Sequence, residues 1–146
     1  MITKLDPIFD GEKAPGIYRL TSRARPSSVL AAVADHGWQG FYLDGRSIAD
    51  KSAFLQAGAE AMHFPAYFGH NWDAFEECVT ELTWRPAPGY VLLYDKMARF
   101  ANGDPQEWAM AQSILEDATN YWQAQSVPFY VLLRGTWWHG RRFPNI

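Results

Sequence analysis

Two runs of the chain are apolar without a charged residue, Tyr90–Tyr94 (YVLLY) and Phe129–Leu133 (FYVLL). Runs this short and this continuous read as strands covered on both faces. Two weaker candidates precede them, Ile17–Leu20 (IYRL) and Trp38–Leu43 (WQGFYL). The intervening segments carry helical signals. Pro26 and the serines after it open VLAAVADHG as a helix, and Gly37 fits the left-handed position that ends many helices. Asp50 is placed to cap a helix through about Met62, with Phe54, Leu55, Ala61 and Met62 near one face. After the loop HFPAYFGH, Asn71 is an N-cap candidate for a helix to about Leu82, and residues 83–89 (TWRPAPG) form a connection. Asp104 followed by Pro105 predicts the start of a long helix to about Gln125. Residues 1–15 hold Pro7, Gly11 and Pro15, with Gly16 next, and are expected to be a loosely held arm. The order β-α-β-α-α-β-α-β predicts an α/β fold, a small mainly parallel sheet packed with helices.

Length and composition narrow the class. A chain of 146 residues suits one domain, 1–146, and 48% apolar residues can bury a sizeable core. The single cysteine, Cys78, excludes an internal disulfide framework and a Cys-based metal site. No apolar run approaches the ~20 residues of a membrane span. The start MITKLDPIFDGEKAPG has no apolar core of a secretory signal, so the expected address is the cytoplasm. The net charge of −3 conceals an asymmetry. Between Ser52 and Leu133 only Arg85, Lys96 and Arg99 oppose ten acids: Glu60, Asp73, Glu76, Glu77, Glu81, Asp95, Asp104, Glu107, Glu116 and Asp117. An acidic face suits a basic partner and has the wrong sign for nucleic acid.

The chemistry concentrates in PAYFGHNWDAFEECVTEL, residues 65–82. On a helix from Asn71, residues three and four apart share a side, so Asp73, Glu76, Glu77 and Thr80 line one side. Phe75, Val79 and Leu82 line the other, with Trp72 and Cys78 near the seam. Acids in the first turns gain about 0.3–1 kcal/mol each from the helix dipole. Like charges at Asp73 and Glu77 oppose that by about 0.2–0.5 kcal/mol. Pattern alone leaves two readings open. The acids are a solvated helix face, or, beside Tyr67 and Phe68, they form a docking surface whose carboxylates pair with Arg in a phosphate-binding site.

These residues resemble the barstar family, intracellular inhibitors of barnase-type ribonucleases. The segment is similar to the family's Pro-x-Tyr-Tyr-Gly-x-Asn-x-Asp-Ala-x-x-Asp-Cys-x-Thr pattern. LDGRSI with its following helix, YVLLY, SILEDA and FYVLL follow in the expected order, over roughly residues 40–133. The resemblance implies a barstar-like core at 38–134, extended by an N-terminal β-α unit within residues 1–37 and a tail at 135–146. It implies that Tyr67 and Asp73 contact the nuclease and that Glu77 takes the place of the family's principal Asp, set among the catalytic cations. Asn71, Trp72 and Thr80 match further contact positions, Gly69 matches the loop glycine, Glu76 lies within the same surface, and Cys78 matches a buried structural cysteine. The chain departs from the pattern at Glu77, one methylene longer than Asp, at Glu76 for Trp, at Phe68 for Tyr, and at Asn120 for a Glu of the last helix.

Other constellations carry less. His63, His70, Asp73 and Glu77 lack metal-ligand spacing, and no metal or cofactor is expected. Glu76 and Glu77 point about 100° apart on a helix and cannot flank a scissile bond. Cys78 lies among acids beside an apolar face, the setting of an inert thiol. The tail RGTWWHGRRFPNI interleaves Arg134, Arg141 and Arg142 with Trp137, Trp138 and Phe143. It reads as aromatic cover for a sheet edge or the added unit ahead of a single-stranded RNA contact. The expected function is therefore non-enzymatic: inhibition of a basic ribonuclease, barnase-like, or of a related toxin domain. The alternative is a module that keeps the fold and binds a non-nuclease partner.

Overall fold

The computed structural model describes residues 5–135 and 143–146. Strands β1 (Ile17–Arg19), β2 (Gln39–Asp44), β3 (Tyr90–Asp95) and β4 (Phe129–Arg134) form one sheet in the order β1-β4-β3-β2, every pairing parallel. The two apolar runs are the central strands, and alternation divides them between two cores. Tyr90, Leu92, Tyr94, Phe129, Val131 and Leu133 point into one core; Val91, Leu93, Tyr130 and Leu132 point into the other. Both faces are covered, which is why these strands carry no polar alternation.

Helices α1 (Asp6–Phe9) and α2 (Pro26–Asp35) supply Ile8, Val29 and Val33 to the smaller core. On the opposite face lie α3 (Lys51–Ala61), α4 (Trp72–Val79), α5 (Ala98–Gly103) and α6 (Pro105–Ala124). The preference for right-handed crossovers accounts for this division. The steps β2 to β3 and β3 to β4 move in one direction across the sheet. The step β1 to β2 returns across its whole width, so its helix belongs on the other face. Gly37 adopts φ +75° after α2, the left-handed turn expected of it.

The structure corrects several expectations. From Leu5 onward the N-terminal arm is not loose. Leu5 and Ile8 are buried, and the Tyr130 hydroxyl donates to the Lys13 carbonyl. A four-residue helix is too short to show a period, which is why it does not stand out in the sequence. The six-residue α5, which buries Phe100 and Ala101, escapes notice for the same reason. Helix α4 ends at Val79 rather than Leu82. Thr80 is its C-cap and Leu82 turns left-handed at φ 50°, although Leu82 remains buried. Asp104 precedes α6 without a side-chain capping bond.

The ends of the strands are tied together. Arg134 forms a bidentate pair with Asp95, at 2.6 and 2.9 Å, and donates to the carbonyls of Ser22 and Ala24 at 3.0 and 2.7 Å. The Tyr42 hydroxyl donates to the same aspartate at 3.1 Å. One ion pair thus joins β2, β3, β4 and the connection after β1. Residues 143–146 run beside the outer edge of β1: Arg19 N–H donates to the Pro144 carbonyl and Ile146 N–H to that of Arg19, each at 2.8 Å. Trp137, Trp138, Arg141 and Arg142, the aromatic and basic tail residues of the sequence reading, lie outside the described residues.

Candidate partner-binding surface

The loop before α4 is shaped by its capping residue. Asn71 is extended (φ −138°, ψ 170°), and its Oδ1 accepts the Ala74 N–H at 2.8 Å, satisfying a donor that the helix leaves free. Its Nδ2 donates to the Gly69 carbonyl at 3.4 Å. A Cβ at Gly69 would sit 3.3 Å from that nitrogen and 3.7 Å from Ala74 Cβ, so the close fold of the loop over the helix start favours glycine. Phe68 anchors the loop: it is buried and meets Phe64 and His70 edge-on at 5.1 and 4.8 Å. Its neighbour Tyr67 is left 70% exposed.

Helix α4 buries Phe75, Cys78 and Val79. Asp73, Glu76 and Glu77 are exposed on the other side, next to the exposed ring of Tyr67. The Tyr67 hydroxyl donates to Glu81 Oε1 at 3.1 Å. Its pKa is raised, by desolvation first and then by Glu81, so the phenol stays protonated and holds that bond. Burial also raises the Cys78 thiol, reinforced by Glu81 and Glu77. A thiolate is disfavoured there, which fits a packing role for Cys78.

The eight residues singled out in the sequence therefore divide. Tyr67, Asp73, Glu76 and Glu77 offer free surface. Gly69 and Asn71 shape the loop. The Thr80 hydroxyl is turned back onto its own helix, donating to the Glu76 carbonyl at 2.7 Å. Trp72 is half-buried and faces inward. Its indole N–H donates to Glu107 Oε2 on α6 at 2.7 Å, and its ring lies 5.7 Å from that of Phe54. At the other end of α4, the Trp122 indole donates to the Val79 carbonyl at 2.9 Å, a second tie to α6. Asn120 is exposed on α6.

Two acids enter the picture that the motif does not mark. Glu81 falls past the helix end, yet its place four residues after Glu77 continues the line from Asp73 and was available in the sequence. Glu107 reaches the surface only through folding and has no local signal. Among the described residues, no group of three or more His, Cys, Asp and Glu side chains could hold a metal ion. An open groove lined by Tyr42, Asp44, Gln56 and Glu60 among others contains none of the α4 acids. Within its lining Asp44 is paired with Arg46 and Gln56 with Glu60.

Among the described residues, no helix is long and apolar enough to cross a membrane. The model of the barstar family, described as barnase inhibitor, matches residues 38–134. No curated protein matches the chain. The matched span begins after the Gly37 turn and ends with β4, so it contains α4, its loop and both ties to α6, and leaves β1 and α2 outside.

Proposed function

The chain belongs to the barstar family, and we propose on that basis that it inhibits a barnase-type ribonuclease, or a related toxin domain, by occluding its active site. The observation that carries this reading is the exposure of Asp73, Glu76 and Glu77 on one side of α4 beside the 70%-exposed ring of Tyr67. A ribonuclease active site gathers cationic side chains to hold phosphate, and carboxylates pair bidentately with Arg. The acids stand in for phosphate, and Tyr67 supplies aromatic contact area. Gly69 and Asn71 hold the loop, and Trp72 and Thr80 hold the helix from behind. No catalysis, cofactor or metal is required, and the acidic face repels nucleic acid. The protein acts in the cytoplasm, where it protects the cell's own RNA.

Opposite fields speed association and salt screens them, so inhibition should form faster at low ionic strength. The test is titration of barnase-type ribonucleases, and of any toxin domain encoded beside the gene, against the purified chain. One-to-one inhibition with an on-rate that falls as salt rises is expected. Absence of binding to every such enzyme at low salt would overturn the proposal.

A second reading has its own support: Trp72, at a family contact position, is engaged with Glu107, and Glu76 and Asn120 depart from the family pattern. In that reading the fold serves a non-nuclease partner. A pull-down from the native cell discriminates the two, because a non-nuclease partner retained by Glu77→Ala favours the second.

A further inference from the structure

Trp72 opens α4, directly before Asp73, and three helices meet on it. Its ring packs against Phe54 of α3 and edge-on to Phe75, 6.2 Å away, while Lys51 Nζ stands 5.7 Å from the ring centroid. Its indole N–H, a donor without acceptor capacity, reaches Glu107 in the first turn of α6. A carboxylate acceptor makes such a bond short and strong, consistent with 2.7 Å.

We infer that Glu107 is a positioning residue of the docking surface: through Trp72 it holds the first turn of α4, and with it the Asp73 carboxylate, in the orientation a partner meets. The inference rests on the reading that α4 is the docking helix. An eight-residue helix is far below the length that is stable alone, so its orientation comes from its attachments. Asn71 caps the start of α4 without linking it to another helix. The Trp72–Glu107 bond provides that link at the start, as Trp122 provides it at the end. Glu107 is half-buried and serves as an acceptor for the indole, so it acts through Trp72 rather than as a charge offered to the partner. With the indole released, Asp73 must be ordered during binding, and that cost is taken from affinity.

The experiment measures association and dissociation rates of the full chain with a barnase-type ribonuclease. Glu107→Ala and Trp72→Phe should each weaken binding by about tenfold, mainly through faster dissociation. Glu107→Gln retains an acceptor and should stay close to wild type. The double variant Trp72→Phe/Glu107→Ala should be no weaker than either single change, because all three remove the same bond. The pair Asp73→Asn/Glu77→Gln reports on docking itself. If it collapses binding while Glu107→Ala binds as wild type, the positioning role is overturned. It is equally overturned if Glu107→Gln loses as much as Glu107→Ala through slower association, which marks a direct charge contact. If the acid pair changes nothing, the docking reading fails instead, and the attachment is read without any nuclease. Hydrogen exchange at the Trp72 indole and at the Ala74 and Phe75 amides should then quicken in Glu107→Ala and recover in Glu107→Gln, with unchanged exchange overturning the inference.

Discussion

Glu77 carries the sharpest expectation among single residues. In the proposed complex its carboxylate would be removed from water together with the cations it meets. Removing one partner of such a pair leaves the others buried and uncompensated, at about 3–5 kcal/mol. Glu77→Ala should therefore weaken nuclease binding by that amount in an inhibition titration, whereas Glu60→Ala on α3 should leave it nearly unchanged. A different residue reports on alkaline stability. Desolvation, followed by the neighbouring Asp95, pushes Tyr42 up to about 12. The folded state then holds its proton more tightly than the unfolded chain, whose Tyr titrates at its usual 10.0. The stability this contributes is complete below pH 10 and is lost as pH rises toward 12. Denaturant midpoints should fall across that window, and Tyr42→Phe should flatten the fall. At this scale the sequence was readable where chemistry is local. Asn71 could be recognised as a cap because its bonds reach only residues 69 and 74. Trp72 could not, since its acceptor lies 35 positions away.

In the role proposed for it, helix α4 offers contact at some expense of its own stability. Asp73 near the start suits the helix dipole, but Glu76 and Glu77 lie toward the other end, where the last turn has no basic residue. Its free energy comes from burying Phe75, Cys78 and Val79 and from its cap. Asn71→Ala should cost about 1 kcal/mol in denaturant unfolding and release the Gly69 turn along with the helix start. Glu77→Lys makes the opposite point: it should raise the stability of the free protein by up to about 1 kcal/mol, by dipole and by removing the Asp73–Glu77 repulsion, while abolishing inhibition. A Glu77→Lys variant in which stability and inhibition fell together would contradict this division of roles. Long or strongly periodic elements could be located from sequence. Elements of four and six residues, α1 and α5, could not, because so few positions establish no period. The end of α4 was misplaced for another reason. Leu82 keeps the apolar spacing and remains buried, but it reaches the core from a left-handed turn beyond the helix.

Across the whole molecule, the N-terminal segment is part of the sheet rather than an appendage to a finished core. It adds β1 beside β4 and covers Val91, Leu93, Tyr130 and Leu132 with α1 and α2. Deleting residues 1–37 uncovers those four side chains. Each costs roughly 1.5–3 kcal/mol when moved from buried to exposed, so the shortened chain should unfold at much lower denaturant or aggregate on expression. A truncated chain as stable as the full one would show the extension to be dispensable. Here the sequence supplied the order of the strands along the chain; the order within the sheet is seen only in the structure, and from it the right-handed crossover rule yields the face each helix covers. What it could not supply was the closure at the strand ends, where Arg134, Asp95 and Tyr42 come from three separate strands.

The burial of Cys78 has a practical consequence. The chain's only thiol is 3% exposed, with its ionisation suppressed, and should be inert to maleimides under native conditions. A cysteine placed at Ser28, exposed on α2 and therefore on the sheet face opposite α4, would be the one reactive handle. Anchored through it to a sensor surface, the protein would present its acids outward, giving an oriented probe for capturing the proposed nuclease partner directly.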